Sequence, residues 1–331
     1  MSPRDIFKGI PLIIIMALII FSQSVMVWMI KNTTMHHKPI VRHLQANSNS
    51  SVLVLAAVPR DAKHLAALWT IMECLTVGFD LVLISSPEES RPVMELFVQK
   101  VKEQDLHPNV QTMYTENDRY DVGLWCDALE YLPLKEYKYF VLLNDSVFAL
   151  RRFRAILDFL QSDRYHLVGL SYSHLGGSYW VESFFRGFSL DGVQRFRQHS
   201  CLAAPLDISY LSKRRIVNYH EILLTTLFEP NERTGLFSAD PPELYPIDRG
   251  LRNKTWVSSD NIRYWRELLI NKHRFPVGKV KMSRMFNLTS PIHRLCMKKN
   301  HHTYFLDVFG GEDPSYDDDA ARIEKMANLS S

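Results

Sequence analysis

The sequence predicts an α/β domain, with a mostly parallel sheet flanked by helices, behind a single N-terminal transmembrane helix. Two observations predict the sheet: strand-like and helix-like apolar patterns alternate from residue 52 to residue 170, and several strand-like segments are apolar throughout. Such strands are typical of a parallel sheet that is covered by helices on both faces. The transmembrane helix is predicted by residues 9–30, which include no charged side chain.

The first half of the domain has the more regular pattern. Strands are predicted at residues 52–58, 81–84, 139–143 and 166–170, and 110–114 is a further candidate strand. Helices are predicted between them at residues 61–76, 92–102, 124–132 and 149–160. The first of these helices has apolar side chains at helical spacing, at Leu65, Leu68, Trp69, Met72 and Leu75.

The second half is less regular. We predict an extended segment at 180–189, helices at 191–198, 213–227 and 261–270, and a proline-containing, loop-rich insertion at 236–248. The domain as a whole is predicted to span residues 52–309, and residues 310–331 to form an acidic flexible tail. Residues 31–51 are polar without periodicity, which is typical of a stem.

The apolar segment 9–30 is long enough to cross a bilayer. Its 22 residues would span roughly 33 Å as a helix, and a hydrocarbon core is about 30 Å thick. A cleavable signal peptide has a shorter apolar core and small residues at its cleavage site, which Val25–Ile30 does not offer. Because only residues 1–8 precede it, we predict a type II signal anchor with a short cytoplasmic tail. The domain would then lie in the lumen of the Golgi apparatus or endoplasmic reticulum.

Composition narrows the class of protein further. A hydrophobic content of 46% with 18 Phe and 14 Tyr is typical of a globular domain, and a net charge of +3 is too small to indicate nucleic-acid binding. The four cysteines have no zinc-site spacing, and both disulfides and buried free thiols stay open. Five N-glycosylation tripeptides agree with a lumenal domain and begin at Asn32, Asn49, Asn253, Asn287 and Asn328.

The end of the predicted strand 139–143 is the first candidate site. Asn144, Asp145 and Ser146 follow this strand directly. Ligands of parallel sheets bind beyond the carboxyl ends of the strands, so Asp145 is a candidate for chemistry there. The alternative is that these residues only form a turn or cap the next helix.

Several motifs of other enzyme classes are missing. The first strand is not followed by G-x-G-x-x-G, and the chain has neither a Walker loop nor a G-x-S-x-G elbow. These absences disfavour nicotinamide, flavin, P-loop and α/β-hydrolase chemistry. His220 and Glu221 begin like a zinc-protease motif, but Leu224 stands where the second histidine is required.

Together, several segments resemble one family. In order along the chain they are Tyr120–Trp125, Leu142–Ser146, Val168–Ser171, Glu182–Phe185, Tyr219–Ile222, Trp265–Leu268 and Phe275–Val280. Their order and spacing are similar to those of the rhamnan-synthesis-F-like glycosyltransferases, over roughly residues 52–285. The chain departs from this pattern at Phe148–Leu150, where a Gly-Pro pair is expected, and at Glu182, where Gln is more usual.

The resemblance implies a GT-A-like fold and transfer of a sugar from a nucleotide-sugar donor to a hydroxyl of a glycan or glycoconjugate. The diphosphate that leaves needs its charge neutralised. Asp145, with Asn144 and Ser146 beside it, is the candidate to bind a divalent cation, Mn²⁺ or Mg²⁺, and the donor. Lys279 or Arg186 is the alternative source of positive charge.

Further candidates lie around this site. Asp121 and Gly123 precede or begin a helix, where backbone N–H groups favour phosphate, although capping alone would also explain Asp121. Glu182, Glu221 and Asp145 are the candidate bases for the acceptor hydroxyl, and Glu221 has an alternative structural role.

Trp180 and Trp265 are candidates to stack on a sugar or base, or else belong to the core.

Two rival functions stay open. The first is a catalytically inactive relative that binds glycan or assists another transferase, which the missing Gly-Pro pair and the single carboxylate at Asp145 favour. The second is a membrane-anchored hydrolase, which would need a nucleophile or two facing carboxylates in the site.

Overall fold

The computed structural model describes residues 50–116, 120–173, 179–202, 218–238 and 275–280. Within these ranges, no helix is long and apolar enough to cross a membrane. The predicted anchor at 9–30, nearly all of the stem, the asparagines of the five glycosylation tripeptides, Trp265 with its helix, and the acidic tail lie outside the described residues.

The described residues form an eight-stranded sheet and a separate two-stranded sheet. The strands are β1 (Ser51–Ala56), β2 (Leu81–Pro87), β3 (Val110–Thr115), β4 (Tyr139–Asn144), β5 (Val147–Ala149), β6 (Leu167–Ser173), β7 (Trp180–Val181), β8 (Phe185–Ser189), β9 (Arg233–Ser238) and β10 (Val277–Lys279). The large sheet has the order β3-β2-β1-β4-β8-β6-β7, and β9 also pairs with β6. The small sheet pairs β5 with β10.

The large sheet is parallel in its first half and mixed in its second. Strands β3, β2, β1 and β4 are all parallel, and Leu55 of β1 lies opposite Ile84 of β2 and Leu143 of β4. Strand β8 then runs antiparallel to both β4 and β6, whereas β9 is parallel to β6. The predicted α/β sheet with flanking helices is therefore confirmed, with a mixed second half.

Helices cover both faces of the large sheet. They are α1 (Ala62–Cys74), α2 (Arg91–Glu103), α3 (Tyr120–Tyr131), α4 (Ala155–Gln161) and α5 (Leu190–Phe196). Leu53 and Leu55 of β1 belong to the buried cluster with α1, α2 and α4, whereas Val52 and Val54 belong to the cluster with α3 and α5. This alternation of neighbouring residues between two cores explains why β1 is apolar throughout.

Short irregular helices complete the described chain. Two 3₁₀ turns lie at Glu88–Ser90 and Leu134–Glu136, and two π-helical segments lie at Arg197–Leu202 and Asn218–Leu223. A disulfide joins Cys126 of α3 to Cys201 of the first π-helical segment, and Cys74 is disulfide-bonded as well. These three cysteines are therefore not free thiols.

The prediction of a helix over 149–160 is wrong in its first half. Val147–Ala149 forms β5, which pairs with β10, and the helix begins only at Ala155. The ring of Phe148 packs directly on Gly278, where a Cβ atom would meet it at 2.4 Å, and the Thr70 hydroxyl accepts the N–H of Ala149 at 2.8 Å. Pairing with a distant strand thus determines the conformation of this apolar segment.

Two other predictions also need correction. Residues 236–238 were predicted to begin a loop, but they end β9, where Phe237 pairs with Ser171 of β6. The described part of the predicted helix 213–227 begins with a π-helical segment, Asn218–Leu223, and not with a regular α-helix.

Candidate functional site

The order of the strands reverses beside β1. Strands β2 and β3 follow β1 on one side, and the chain then crosses to the other side to form β4. In open α/β sheets, such a reversal leaves a crevice beyond the carboxyl ends of the two central strands, and ligands bind there. In this protein the crevice lies beyond Ala56 and Asn144, the last residues of β1 and β4. We call this end of the sheet the carboxyl end.

Asp145 lies between the two strands that border this crevice. Its backbone N–H donates to the Ala56 carbonyl at 3.1 Å, and its Oδ2 accepts the Val58 N–H at 2.6 Å. Its Oδ1 has no hydrogen-bond partner among the described residues, and the side chain is half-buried. One carboxylate oxygen is thus fixed by the backbone, and the other is available to a ligand.

The surroundings of Asp145 favour a positive charge. Burial raises the pKa of Asp145 to about 6, the Val58 N–H opposes this, and the nearby Asp121 charge raises it further. His64 and Arg60 act in the opposite direction. A proton or cation near Oδ1 would relieve the cost of holding this carboxylate charged.

Arg60 and His64 were missed by the sequence analysis. Both follow β1, and the His64 N–H and ring Nδ1 both contact Asp61 Oδ1, at 3.0 and 2.8 Å. The order of the strands would have placed them near Asp145, because loops that follow neighbouring parallel strands meet at the same end of the sheet.

Asn144 links Asp145 to the start of α3. The buried Asn144 side chain donates from Nδ2 to Asp121 Oδ2 at 2.5 Å, and its Oδ1 accepts from the Ser146 N–H at 3.2 Å and hydroxyl at 2.6 Å. Asp121 lies in the first turn of α3, where Gly123 is buried. These bonds bring Asp121, Asn144, Asp145 and Ser146 together, and we call them the Asp145 cluster.

A cation fits this cluster only with ligands from elsewhere. Among the described residues, no group of three or more His, Cys, Asp and Glu is arranged to hold a metal ion. Asp145 Oδ1 and the negative charge of Asp121 nevertheless suit a hard cation whose other ligands are phosphate oxygens and water.

A second set of polar residues lies further along the same end of the sheet. Glu182 accepts from the Ser171 hydroxyl, and Glu221 Oε1 accepts from the hydroxyl and the N–H of Ser183, at 2.5 and 3.3 Å. We call Glu182, Ser183 and Glu221 the Glu221 cluster. Burial raises the pKa of Glu221 to about 6; Ser183 and Arg186 oppose this, and Glu182 adds to it.

The two clusters are joined through β4 and β8. Because β8 is antiparallel to β4, its first residues lie where β4 ends, and the Asn144 N–H donates to the Phe184 carbonyl at 3.1 Å. Phe184 directly follows the segment that carries Glu182 and Ser183. The candidate residues that were far apart in sequence therefore share one end of the sheet.

Lys279 belongs to the small sheet, beside Ser146 of the Asp145 cluster. It pairs with Val147 across the small sheet, and the following N–H, of Val280, donates to the Ser146 carbonyl at 2.8 Å. Its Nζ lies 3.6 Å from the centre of the Phe184 ring. The Lys279 ammonium thus lies against Phe184, whose carbonyl accepts from the Asn144 N–H.

Arg186 is not in the crevice. Its side chain is only 1% exposed and packs in the core against α3 and α5, so the expectation that it neutralises a bound diphosphate does not fit its position. The reason is strand alternation, because Arg186 pairs with Leu142, whose side chain faces the same core.

Trp180, a candidate to stack on a sugar or base, is half-buried in β7.

No protein-family model matches the chain, so the resemblance to the rhamnan-synthesis-F-like glycosyltransferases stays a prediction. A comparison with curated proteins gives no match either. Among solved structures, a 4-diphosphocytidyl-2C-methyl-D-erythritol synthase from Anaerococcus prevotii is similar at 9% identity and a TM-score of 0.39, over 58% of this chain and 90% of that chain.

A candidate glucose-1-phosphate thymidylyltransferase from Bacillus anthracis, in complex with sucrose, is similar at 8% identity and a TM-score of 0.39. This match covers 52% of this chain and 82% of that chain. At these values, neither likeness bears on what this chain does.

Proposed function

We propose that this protein is a glycosyltransferase that moves a sugar from a nucleotide-sugar to a hydroxyl of a glycan or glycoconjugate. The supporting observation is that Asp145 lies at the reversal of strand order, on the same end of the sheet as Glu182, Glu221 and Lys279. The sequence adds a predicted type II anchor in the Golgi or endoplasmic reticulum membrane. The Cys126–Cys201 disulfide agrees with an oxidising lumen.

The Asp145 cluster would bind the donor. Breaking the bond between sugar and diphosphate leaves negative charge on the diphosphate, which must be stabilised. A bound Mn²⁺ or Mg²⁺ would supply that positive charge, and Asp145 Oδ1 is the side-chain oxygen suited to hold it. Arg60, whose charge acts on Asp145, and Lys279, which lies against Phe184, would contribute positive charge as well. Asp121, Gly123 and Ser146 would line the donor site.

The Glu221 cluster would act on the acceptor. A sugar hydroxyl becomes a nucleophile when a base removes its proton, and a base works best when its pKa lies near the working pH. The pKa of Glu221, about 6, leaves it mostly ionised at neutral pH and more basic than an ordinary carboxylate. Glu182, which is hydrogen-bonded to Ser171, is the alternative base.

A catalytically inactive, glycan-binding protein is the second candidate. It is favoured by the single carboxylate that follows β4 and by Phe148–Leu150, which stands where the resemblance predicts a Gly-Pro pair. In this case, the same end of the sheet would bind a glycan or a partner transferase without turnover.

Incubation of the full-length protein with a panel of nucleotide sugars tests the proposal. Release of the nucleotide and thermal stabilisation would be measured with Mn²⁺, with Mg²⁺ and with EDTA. We expect one donor class to stabilise the protein and to release its nucleotide when an acceptor is added. Stabilisation without release under every condition would favour the inactive protein, and neither response with any donor would refute the proposal.

A further inference from the structure

Arg186 is a buried charge that the proposed chemistry does not use. It lies in β8, only 1% exposed, and β8 lies between β4 and β6 in the large sheet. Removing a guanidinium from water is costly unless other groups compensate for the lost hydration. The contacts of this side chain therefore indicate what it does.

Three aromatic rings and one carbonyl surround the guanidinium. The Arg186 carbon Cζ lies 5.7, 5.7 and 5.2 Å from the ring centres of Trp125, Phe188 and Phe196. Nη1 donates to the His220 carbonyl at 2.8 Å. Among the described residues, Nε and Nη2 have no hydrogen-bond partner. The rings stabilise the charge in part, and no hydrogen-bonded carboxylate neutralises it.

Glu221 is the acid whose charge acts on Arg186. Burial lowers the pKa of Arg186 to about 10, and Glu221 is the group that raises it. The effect is mutual, because Arg186 favours the ionised form of Glu221. His220, whose carbonyl accepts from Arg186, directly precedes Glu221 in the chain.

The segment that carries Glu221, Asn218–Leu223, is held in place by contacts with other parts of the chain. Asn218–Leu223 is π-helical, a geometry that is rare and is frequently found at functional sites. The Thr225 hydroxyl donates to the Glu221 carbonyl at 2.7 Å and accepts the Val181 N–H at 3.0 Å. With the Ser183–Glu221 bond, these contacts fix the segment to β7 and to the start of β8, and Arg186 adds a contact from inside the core.

We propose that Arg186 is a positioning residue for Glu221: its hydrogen bond to the His220 carbonyl fixes the backbone of the segment that carries Glu221, and its positive charge stabilises this carboxylate. The catalytic consequence rests on the proposed function, in which Glu221 is a base. Glu182 opposes the effect of Arg186, and Ser183 supports it. Among the described residues, the other titratable groups beside Glu221 are Tyr219 and His220 on its own segment, and His199 on the neighbouring segment, which stacks on Tyr219.

The first test measures the titration of Glu221 itself. Full-length protein with ¹³C-labelled glutamate carboxyl groups would be titrated by NMR, with Glu221→Gln used to assign the signal. We expect Arg186→Met to raise the midpoint of Glu221 by about one pH unit or more, because an opposite charge is removed. Arg186→Lys keeps the charge and should restore most of the original midpoint. An unchanged midpoint in Arg186→Met would overturn the inference.

This readout separates the inference from the proposed function. If Arg186→Met shifts the Glu221 midpoint but no donor is turned over, the positioning role stands and the proposed function fails. If transfer is found, the acid limb of kcat should move to higher pH in Arg186→Met, with little change in KM for the donor. Phe196→Leu is the matched control, since it removes a ring from the same guanidinium without changing charge.

A second measurement covers the case in which Arg186→Met does not fold. Removing one charge of a coupled buried pair leaves the other uncompensated, whereas removing both relieves that cost. The double variant Arg186→Met/Glu221→Gln should then recover folding that Arg186→Met loses. Failure of the double variant to recover would show that Arg186 serves the core alone, and would overturn the inference.

Discussion

The Asp145 cluster and the Glu221 cluster contain carboxylates with similar pKa values, of about 6 each, but they are built differently. Asp145 accepts a backbone N–H from the loop that follows the neighbouring parallel strand. Glu221 accepts from a serine side chain and belongs to a π-helical segment that contacts elsewhere must hold. The first carboxylate is positioned by the regular sheet, and the second by a network of side chains.

The Asp145 carboxylate should therefore be held rigidly, whereas the titration of Glu221 can be changed through its neighbours. The backbone N–H of Asp145 also donates to the Ala56 carbonyl, so a change of side chain at 145 keeps this contact between the ends of β1 and β4. The pKa of Glu221 depends on Ser183 and Arg186, so substitution of either residue should change the titration of Glu221 although Glu221 itself is unchanged. Variants of each cluster test this contrast.

Asp145→Asn should have the largest effect on activity. Asn can still accept the Val58 N–H through its amide oxygen, so the fold should be retained. It loses the negative charge that would hold a cation or orient the donor, and we expect transfer to fall by about 10²–10³-fold or more. Initial rates with the donor identified in the screen would measure this loss.

Asp163→Asn is the matched control for Asp145→Asn. Asp163 pairs with Lys138, which directly precedes β4, so the carboxylate lies at the opposite end of that strand. Its loss should leave transfer unchanged. Full activity of Asp145→Asn, with the control also active, would remove Asp145 from the site.

Glu221→Gln and Glu182→Gln should differ from each other. If Glu221 is the base, its amide variant should lose about 10²-fold or more in kcat, whereas Glu182→Gln should lose less. The two variants are matched in chemistry and lie in the same cluster, so a comparison of kcat at saturating donor decides between them. A larger loss in Glu182→Gln would exchange the roles of the two glutamates.

The same contrast explains what was predictable from sequence. Strands β1, β2 and β4 were predicted within a few residues because each is largely apolar and buried on both faces, a property that local pattern reveals. Asp145 was found in this way, as the residue that follows β4. The neighbouring roles of Arg60 and His64 needed the order of strands in the sheet, which apolar periodicity does not give.

The second half depends on pairing between distant segments. β5 forms because β10 and Thr70 supply partners, and β9 forms because β6 accepts a parallel neighbour. Glu182 and Glu221 were identified only from the resemblance, and the serines that they contact, Ser171 and Ser183, have no local sequence signal. Arg186 was considered as a source of positive charge for the donor, but it lies in the core. A single charged residue in an apolar strand does not indicate which face of the sheet its side chain occupies.

Ser183→Ala should shift the pH profile and change the maximal rate little. The Ser183 hydroxyl lowers the pKa of Glu221, so its loss should raise that pKa and move the acid limb upward by about one unit or less. Transfer at pH 6 should then fall by about tenfold or less, with near-normal rates at pH 8. Ser171→Ala, which removes the partner of Glu182, is the control and should leave the limb in place. A shift in Ser171→Ala alone would indicate Glu182 as the base.

The smallest expected effect concerns stability, and both clusters should show it. The pKa of Asp145 is raised from 3.8 to about 6, and that of Glu221 from 4.5 to about 6, so the folded protein binds these protons more tightly than the unfolded chain does. Stability should therefore decrease as pH rises through the window from about 4 to about 6, and the penalty should be complete above it. Asp145→Asn removes the Asp145 part of that penalty and should stabilise the fold by about 1–2 kcal/mol at pH 8 but not at pH 4. Urea unfolding at the two pH values would measure the difference, and equal stability changes at both would contradict the raised pKa of Asp145.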